Sequence, residues 1–199
     1  RRFNDLFRKR YRLSPTALRK HAAEGKKRND NMILALGYRP PSRWEEMLAF
    51  LAERAIAGIE TVKNGEYART VHLAGADGKR VRGWVKIGHK PEKNALSVAI
   101  SESLLPVLPQ VLARVRHLFD LHCSPDAVYD ILQGMNDIRP GLCRPGIRVP
   151  GCFDAFETAV RAVLGQQITV KAAGTLAARI VERYGTPVQA GFKGLTHIF

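Results

Sequence analysis

Between Gly151 and Gly185 the chain spells out two helices and the corner that joins them, and any fold must accommodate that unit. Asp154 followed three residues on by Glu157 is a capping-box pair, in which a carboxylate takes up backbone N–H groups that the first helical turn leaves without partners. From Phe156 the apolar residues recur at Ala159, Val160, Val163 and Leu164, one face of a helix, which is expected to point into a core. A second helix is expected after Thr169, with Leu176, Ala177, Ile180, Val181 and Tyr184 aligned, Gly185 as a left-handed cap and Pro187 as a stop. The two meet at Gly165-Gln166-Gln167-Ile168. Two long amides at a tight corner are either a polar turn or a surface made to contact something.

Charge narrows the partner. The 199 residues carry 32 Lys and Arg against 18 Asp and Glu, a net charge of +14, which favours a polyanion and nucleic acid before an anionic membrane surface. The surplus is uneven. Residues 1–30 hold eleven basic groups against Asp5, Glu24 and Asp30, as a separate basic unit would. Cys123, Cys143 and Cys152 are odd in number and form no Cys-x-x-Cys pair, so neither a disulfide framework nor a zinc site is supported, and no metal or other cofactor is expected. No apolar run approaches the roughly 18 residues of a membrane span and no signal peptide is recognisable, which leads to the expectation of an intracellular protein without a membrane partner.

Along the chain, residues 1–21 have a helical pattern with Phe3, Leu6, Phe7 and Tyr11 on one side, followed by Ser14-Pro15 as the start of another helix. Weak or partial order is expected over residues 1 to about 28, because such a piece has little core of its own. Residues 22–30 are small, charged and unpatterned, a linker. A new domain should begin at 31. Met32–Leu36 is expected as a strand; Ser42 with Glu45 is a second capping box, opening a helix that carries Trp44, Met47, Leu48, Leu51 and Ala55. Strands are expected over Ile59–Lys63, Glu66–Leu73, Lys79–Ile87 and Leu96–Ile100, with hairpin turns at Asn64-Gly65 and Asp77-Gly78, since Asn, Asp and Gly tolerate positive φ. The fold class is therefore α+β, a helix laid on an antiparallel sheet over residues 31–108. Helices should follow from Pro109, with Val111, Leu112, Val115, Leu118 and Phe119 inward, and from Ser124-Pro125, with Val128, Ile131 and Leu132 inward. Residues 141–151 form an irregular link into the two central helices.

The stretches YRPPSRWEEMLAFLAERAIAGIETV, RVRHLFDLHCSPDAVYDIL and FDAFETAVRAVLGQQITVKAA resemble the AlkA-like 3-methyladenine DNA glycosylases of the helix-hairpin-helix superfamily. The resemblance implies a sheet domain similar to a TATA-binding-protein repeat, then a helical glycosylase domain over 109–199 that stops before the helix-hairpin-helix. It implies double-stranded DNA as the partner, base flipping, and Gln166 and Gln167 at the wedge that enters the minor groove. An aliphatic residue stands at the wedge position in the best-known member, where this chain has Gln167, an amide that can fill the gap in the stack and bond the orphaned base. By the same resemblance Phe50 reaches towards the base pocket. On helical spacing alone it is equally a core residue, one turn from Met47.

RRFNDLFRKRYRLSPTALRK resembles the end of an AraC-type helix-turn-helix domain, as found in Ada-like regulators. This implies that Arg1, Arg2 and Asn4 lie nearest the bases and Arg8, Lys9 and Arg10 nearer the phosphates. A solvated basic helix has the same pattern.

Removing an alkylated purine needs mainly flipping, an aromatic seat for the electron-poor ring and a carboxylate beside the developing sugar cation. In the resembled family that carboxylate is an Asp beyond a phosphate-gripping hairpin, and neither follows residue 185 here; Asp154 and Glu157 are better explained as caps. The chain is thus expected to be a segment of a regulator fused to a glycosylase, to hold no catalytic residue, and to be inactive alone. The intact protein is expected to be a bacterial, cytoplasmic, nucleoid-associated monomer that excises 3-methyladenine-type bases. A transcriptional regulator of the response to alkylation, or a DNA-binding module without catalysis, is the alternative.

Overall fold

The computed structural model describes residues 31–75 and 78–199, together with the isolated positions 4, 5 and 16. Five strands form one antiparallel sheet: β1 (Met32–Gly37), β2 (Glu60–Lys63), β3 (Glu66–Ala74), β4 (Arg80–Lys90) and β5 (Ala95–Ile100), in the order β1-β5-β4-β3-β2. The β2–β3 hairpin closes on Lys63 opposite Glu66, with Asn64 and Gly65 both at positive φ (53° and 74°), as a two-residue turn matching the strand twist requires. Strand alternation sends Leu34 and Leu36, Tyr67 and Val71, Val85 and Ile87, and Leu96, Val98 and Ile100 to one face, where they are buried.

That face is covered by α1 (Trp44–Arg54) and α2 (Leu108–Leu118). Trp44, Met47, Leu48 and Leu51 from α1, and Val111, Leu112, Val115 and Leu118 from α2, join the strands in one apolar core, with Phe119 edge-on to Tyr67. The expected Ser42–Glu45 capping box does not form. Helix α1 starts one residue later, behind Arg43, which makes no side-chain cap and instead donates to Glu46.

Beyond α2 come α3 (Pro125–Leu132) and the single-turn α4 (Met135–Ile138), then a link pinned by Arg148, whose guanidinium donates to the carbonyls of Asp120 and Arg39. Of the three residues of α3 expected inside, Val128 is half-buried, while Ile131 is 80 % exposed and Leu132 is exposed as well. The helix has the right periodicity, but among the described residues nothing covers Ile131 and Leu132.

The central unit consists of α5 (Ala155–Leu164) and α6 (Val170–Tyr184). The expected cap at Asp154 forms, its carboxylate accepting from the Glu157 N–H at 3.1 Å, but Glu157 does not complete the box, its carboxylate turning to Arg69 and Arg161; α6 is capped by Thr169, which accepts from the Ala172 N–H at 3.2 Å. The core face of α5 is not as expected. Phe156 is 71 % and Val163 69 % exposed, Ala159 lies open, Val160 and Leu164 are half-buried, and the one buried side chain of the helix is Glu157. On α6, Ala177 and Val181 pack against Ile56 and Ile59, but Leu176 and Tyr184 remain outside. Gly185 is not left-handed: its φ and ψ are −68° and 155°. It is required for space, since a Cβ there would lie 2.4 Å from the Val181 carbonyl oxygen and 2.9 Å from that of Ile198. The chain leaves α6 directly as β6 (Thr186–Pro187), which pairs with β7 (His197–Ile198). This last segment covers the sheet's other face, where Phe192 meets Trp84 and the Thr70 hydroxyl donates to the His197 carbonyl. Among the described residues no helix is long and apolar enough to cross a membrane.

Candidate nucleic-acid interface

Helix α5 begins on a firm anchor. The Asp154 carboxylate caps it and also accepts from Arg114 of α2 at 2.9 Å, while the same guanidinium nitrogen donates to the Phe153 carbonyl at 2.8 Å. Burial pushes the Asp154 carboxyl up. The N–H bonds of Glu157 and Phe156 and the bond and charge of Arg114 more than offset this, holding it below its usual range.

One turn in, the helix meets a closed set of buried charges. Glu60 on β2 and Arg69 on β3 are cross-strand partners on the covered face of the sheet. Arg69 Nη1 lies 3.4 Å from Glu60 Oε1 and Nη2 lies 2.5 Å from Glu157 Oε2; Arg161 bonds Glu60 Oε2 through Nη2, which also lies 3.0 Å from Glu157 Oε1. Tyr67 donates to Glu60 Oε1 at 2.5 Å and the Ile56 N–H to Oε2 at 3.1 Å. Two carboxylates thus face two guanidiniums, and only Arg161, with 28 % of its side chain exposed, reaches solvent. Burial works against the Glu60 charge, but Arg69 and Arg161, with the bonds from Tyr67 and Ile56, bring its pKa below the ordinary value. Burial together with the neighbouring Glu60 carboxylate pushes the Tyr67 phenol well above its own.

Strand alternation carried the signal that sequence reasoning passed over. Glu60 and Arg69 occupy positions whose neighbours, Val62 on one side and Tyr67 and Val71 on the other, are apolar and inward, so a charge there had to find a buried partner.

A cavity of 420 Å³ opens beside this network, lined by Arg69, His72, Arg114, Phe153, Asp154 and Glu157. Both of those carboxylates are engaged by guanidiniums, so neither is left open to stand beside a sugar cation. Burial and the charges of Arg80 and Arg82 lower the His72 pKa.

At its other end α5 runs into the corner. The Gly165 N–H donates to the Arg161 carbonyl at 2.9 Å and the Gln166 N–H to that of Val163 at 3.3 Å, then the backbone reverses through Gln167 at φ +60°. A non-glycine residue in that left-handed region costs on the order of 1 kcal/mol. The side chains of Gln166, Gln167 and Ile168 are all exposed. A groove of 200 Å³ runs next to the corner, with Arg54, Ile56, Arg161, Gly165 and Ile168 among its walls.

Phe50 is not a core residue. It is 40 % exposed, lies on the outer side of α1 and carries the Arg54 guanidinium 3.9 Å above its ring. It lines a separate hollow of 190 Å³ with Arg43, Glu46 and Arg148, and Arg54 is the residue that connects it with the groove at the corner. Of the residues expected to touch DNA at the N-terminus, Asn4 is an exposed helical position, and Arg1, Arg2, Arg8, Lys9 and Arg10 lie outside the described residues, as does the linker 22–30.

The AlkA N-terminal domain model matches residues 33–154. The chain is 41 % identical over 153 residues to DNA-3-methyladenine glycosylase 2 of Escherichia coli (strain K12), covering 77 % of this chain and 51 % of that protein. It is 35 % identical over 204 residues to a protein of Mycobacterium tuberculosis named as a probable bifunctional transcriptional activator/DNA repair enzyme AlkA, covering 100 % of this chain and 40 % of that one. Among solved structures, 3-methyladenine DNA-glycosylase from Archaeoglobus fulgidus superposes with a TM-score of 0.58 at 23 % identity, over 83 % of this chain and 55 % of that one, a likeness of fold. The chain therefore spans about half the length of these relatives or less. With its match extending from β1 to the cap of α5, the chain belongs to the AlkA N-terminal domain family.

Proposed function

We propose that this chain is part of a DNA-repair enzyme that excises alkylated purines of the 3-methyladenine type by hydrolysing the N-glycosidic bond of a flipped nucleotide. The observation that carries the proposal is the corner: two capped helices, one of them tied to the sheet by ion pairs, present two exposed amides at a turn whose backbone enters the left-handed region at Gln167. Such a point can enter a minor groove and occupy the space of the extruded base. Gln167 is the inserting residue in this reading, Gln166 supports it from the groove side, and Phe50 with Arg54 belongs to the surface turned towards the flipped base. The relative from Escherichia coli, named as a glycosylase, supports the chemistry.

The catalytic acid lies outside the 199 residues in this reading, since Asp154 and Glu157 are both engaged. The open apolar face of α5 and α6, with Phe156, Val163, Leu176 and Tyr184, is the surface on which further helices of the glycosylase domain pack, as the greater length of the relatives allows. The reading also takes the intact protein to be a cytoplasmic monomer acting on double-stranded DNA. The match along the whole chain to a protein named as a transcriptional activator as well as a repair enzyme favours a second role, with residues 1–21 as the end of a helix-turn-helix.

Gln167→Ala in the intact protein tests the corner. Flipping, read as 2-aminopurine emission beside a lesion, should fall about tenfold, or about 1.4 kcal/mol, more than duplex affinity read by anisotropy. Equal losses would make the corner a structural turn.

A further inference from the structure

Helix α5 is joined to the sheet in an unusual way. Its one buried side chain is a carboxylate and most of its apolar residues face outward, so apolar interlocking does little to set where it lies. Arg161 supplies what is missing. It sits one turn before the corner, and its carbonyl receives the Gly165 N–H. Its guanidinium reaches three elements: Nη1 donates to the Arg54 carbonyl at the end of α1 at 3.1 Å, Nη2 bonds Glu60 on β2, and Nη2 lies 3.0 Å from Glu157 on α5 itself. The geometry points to Arg161 as a positioning residue that holds the Gly165–Ile168 corner at a fixed place and angle against the sheet and against the turn of α1 that bears Phe50. This rests on the corner's proposed role as the wedge.

The physical reason lies in what each charge does. A planar fork with bonds to acceptors on separate elements fixes direction as well as distance, which an ammonium point charge cannot do. Losing Arg161 leaves one guanidinium against two carboxylates, but each carboxylate keeps a bonded partner. Without it, Glu60 keeps Arg69, Tyr67 and the Ile56 N–H, and Glu157 keeps Arg69. Loss of Arg161 should therefore loosen the corner more than it unsettles the sheet. The link continues outward, because the residue whose carbonyl Arg161 grips is Arg54, the one stacked on Phe50.

The test uses the protein at full length with Arg161→Met and Arg161→Lys. Spin labels go on Lys63, exposed on the β2–β3 turn, and on Gln166, through a ketone-bearing unnatural side chain that leaves the three cysteines alone. Dipolar spectroscopy then reads the distance between sheet and corner. Unlabelled protein is titrated with an intact duplex and with one containing a tetrahydrofuran gap, and urea midpoints are measured alongside. Arg161→Met should at least double the width of the distance distribution and lower the preference for the gapped duplex about tenfold, with intact-duplex affinity within about twofold of wild type. Arg161→Lys should recover the urea midpoint but not the narrow distribution, and if Arg161→Met does not fold, the lysine variant decides. Unchanged width and preference in the folded variants would overturn the proposal. A wild type that shows no preference for the gap would instead sink the base-excision reading, while the distance measurement still decides the role of Arg161.

Discussion

Arg69→Met is the sharpest perturbation of the buried network, because it leaves the volume nearly filled and removes one charge. In the wild type, two carboxylates and two guanidiniums balance, and the Arg69, Glu60 and Glu157 side chains are each 5 % exposed. The variant leaves Glu60 and Glu157 to share Arg161 alone, and Arg161 lies at the solvent edge. Removing one partner of a buried pair costs about 3–5 kcal/mol, and that loss is expected at pH 7.5. The pH dependence follows from the same charges. In the wild type Glu60 is held below its ordinary pKa, so its contribution is present above the unfolded value of about 4.3 and is constant between pH 7.5 and 5.5. In the variant Glu60 loses Arg69, the first of the charges that hold it low, so its folded pKa rises, and the penalty is greatest above that value and shrinks as the pH falls through it. Each pH unit gives back at most about 1.4 kcal/mol per proton taken up. His72 and His89, both lowered by burial, make acid destabilising through the unfolded His value, but they enter both proteins alike and cancel in the difference. Urea unfolding followed by tryptophan emission at pH 7.5 and 5.5 measures that difference. A gap under about 1 kcal/mol, or one that does not change between the two pH values, would refute the reasoning.

Two further substitutions test local physics. Asp154→Ala removes the cap of α5 and the partner of Arg114, and should cost about 1 kcal/mol for the cap alone in urea unfolding at pH 7; because the folded pKa of Asp154 is depressed, the variant and wild type should converge only as the pH falls through it. The two glycines of α6 and its end should respond in opposite directions. Gly174→Ala meets nothing within 4 Å in a helix interior and should stabilise by about 0.5–1 kcal/mol, whereas Gly185→Ala meets the Val181 and Ile198 carbonyl oxygens and should lower the melting temperature; stabilisation by both would contradict the close approach at Gly185.

The strands and their hairpin were legible because each depends on neighbours close in sequence. Alternation picks the inward set of β3 and β4, and Asn64-Gly65 fixes the register of β2 on β3. Helix caps at Asp154 and Thr169 are legible for the same reason. What stayed hidden depends on groups far apart. Glu157 reads as the second half of a capping box, but in the fold it is 88 residues from Arg69 and bonded to it, and two guanidiniums outcompete a single backbone N–H for a carboxylate out of water. Likewise the 3.6-residue period on α5 is real, yet a period states that a face is apolar and not that anything covers it, which is why Phe156 and Val163 were expected inside and lie outside.

The corner illustrates both limits at once. Its position between two helices could be read from the caps, but its stiffness could not, because that comes from Arg161 reaching Glu60, 101 residues earlier in the chain. Glycine would adopt the Gln167 backbone without strain. A glutamine there carries a cost that no hydrogen bond of its exposed amide offsets among the described residues, whereas Thr169, two residues further on, is used as a cap for the Ala172 N–H. A strained, exposed, non-glycine residue on a tethered turn is better explained by what it does for a partner than by what it does for the fold, and that asymmetry is why the loss expected for Gln167→Ala lies in flipping and not in stability.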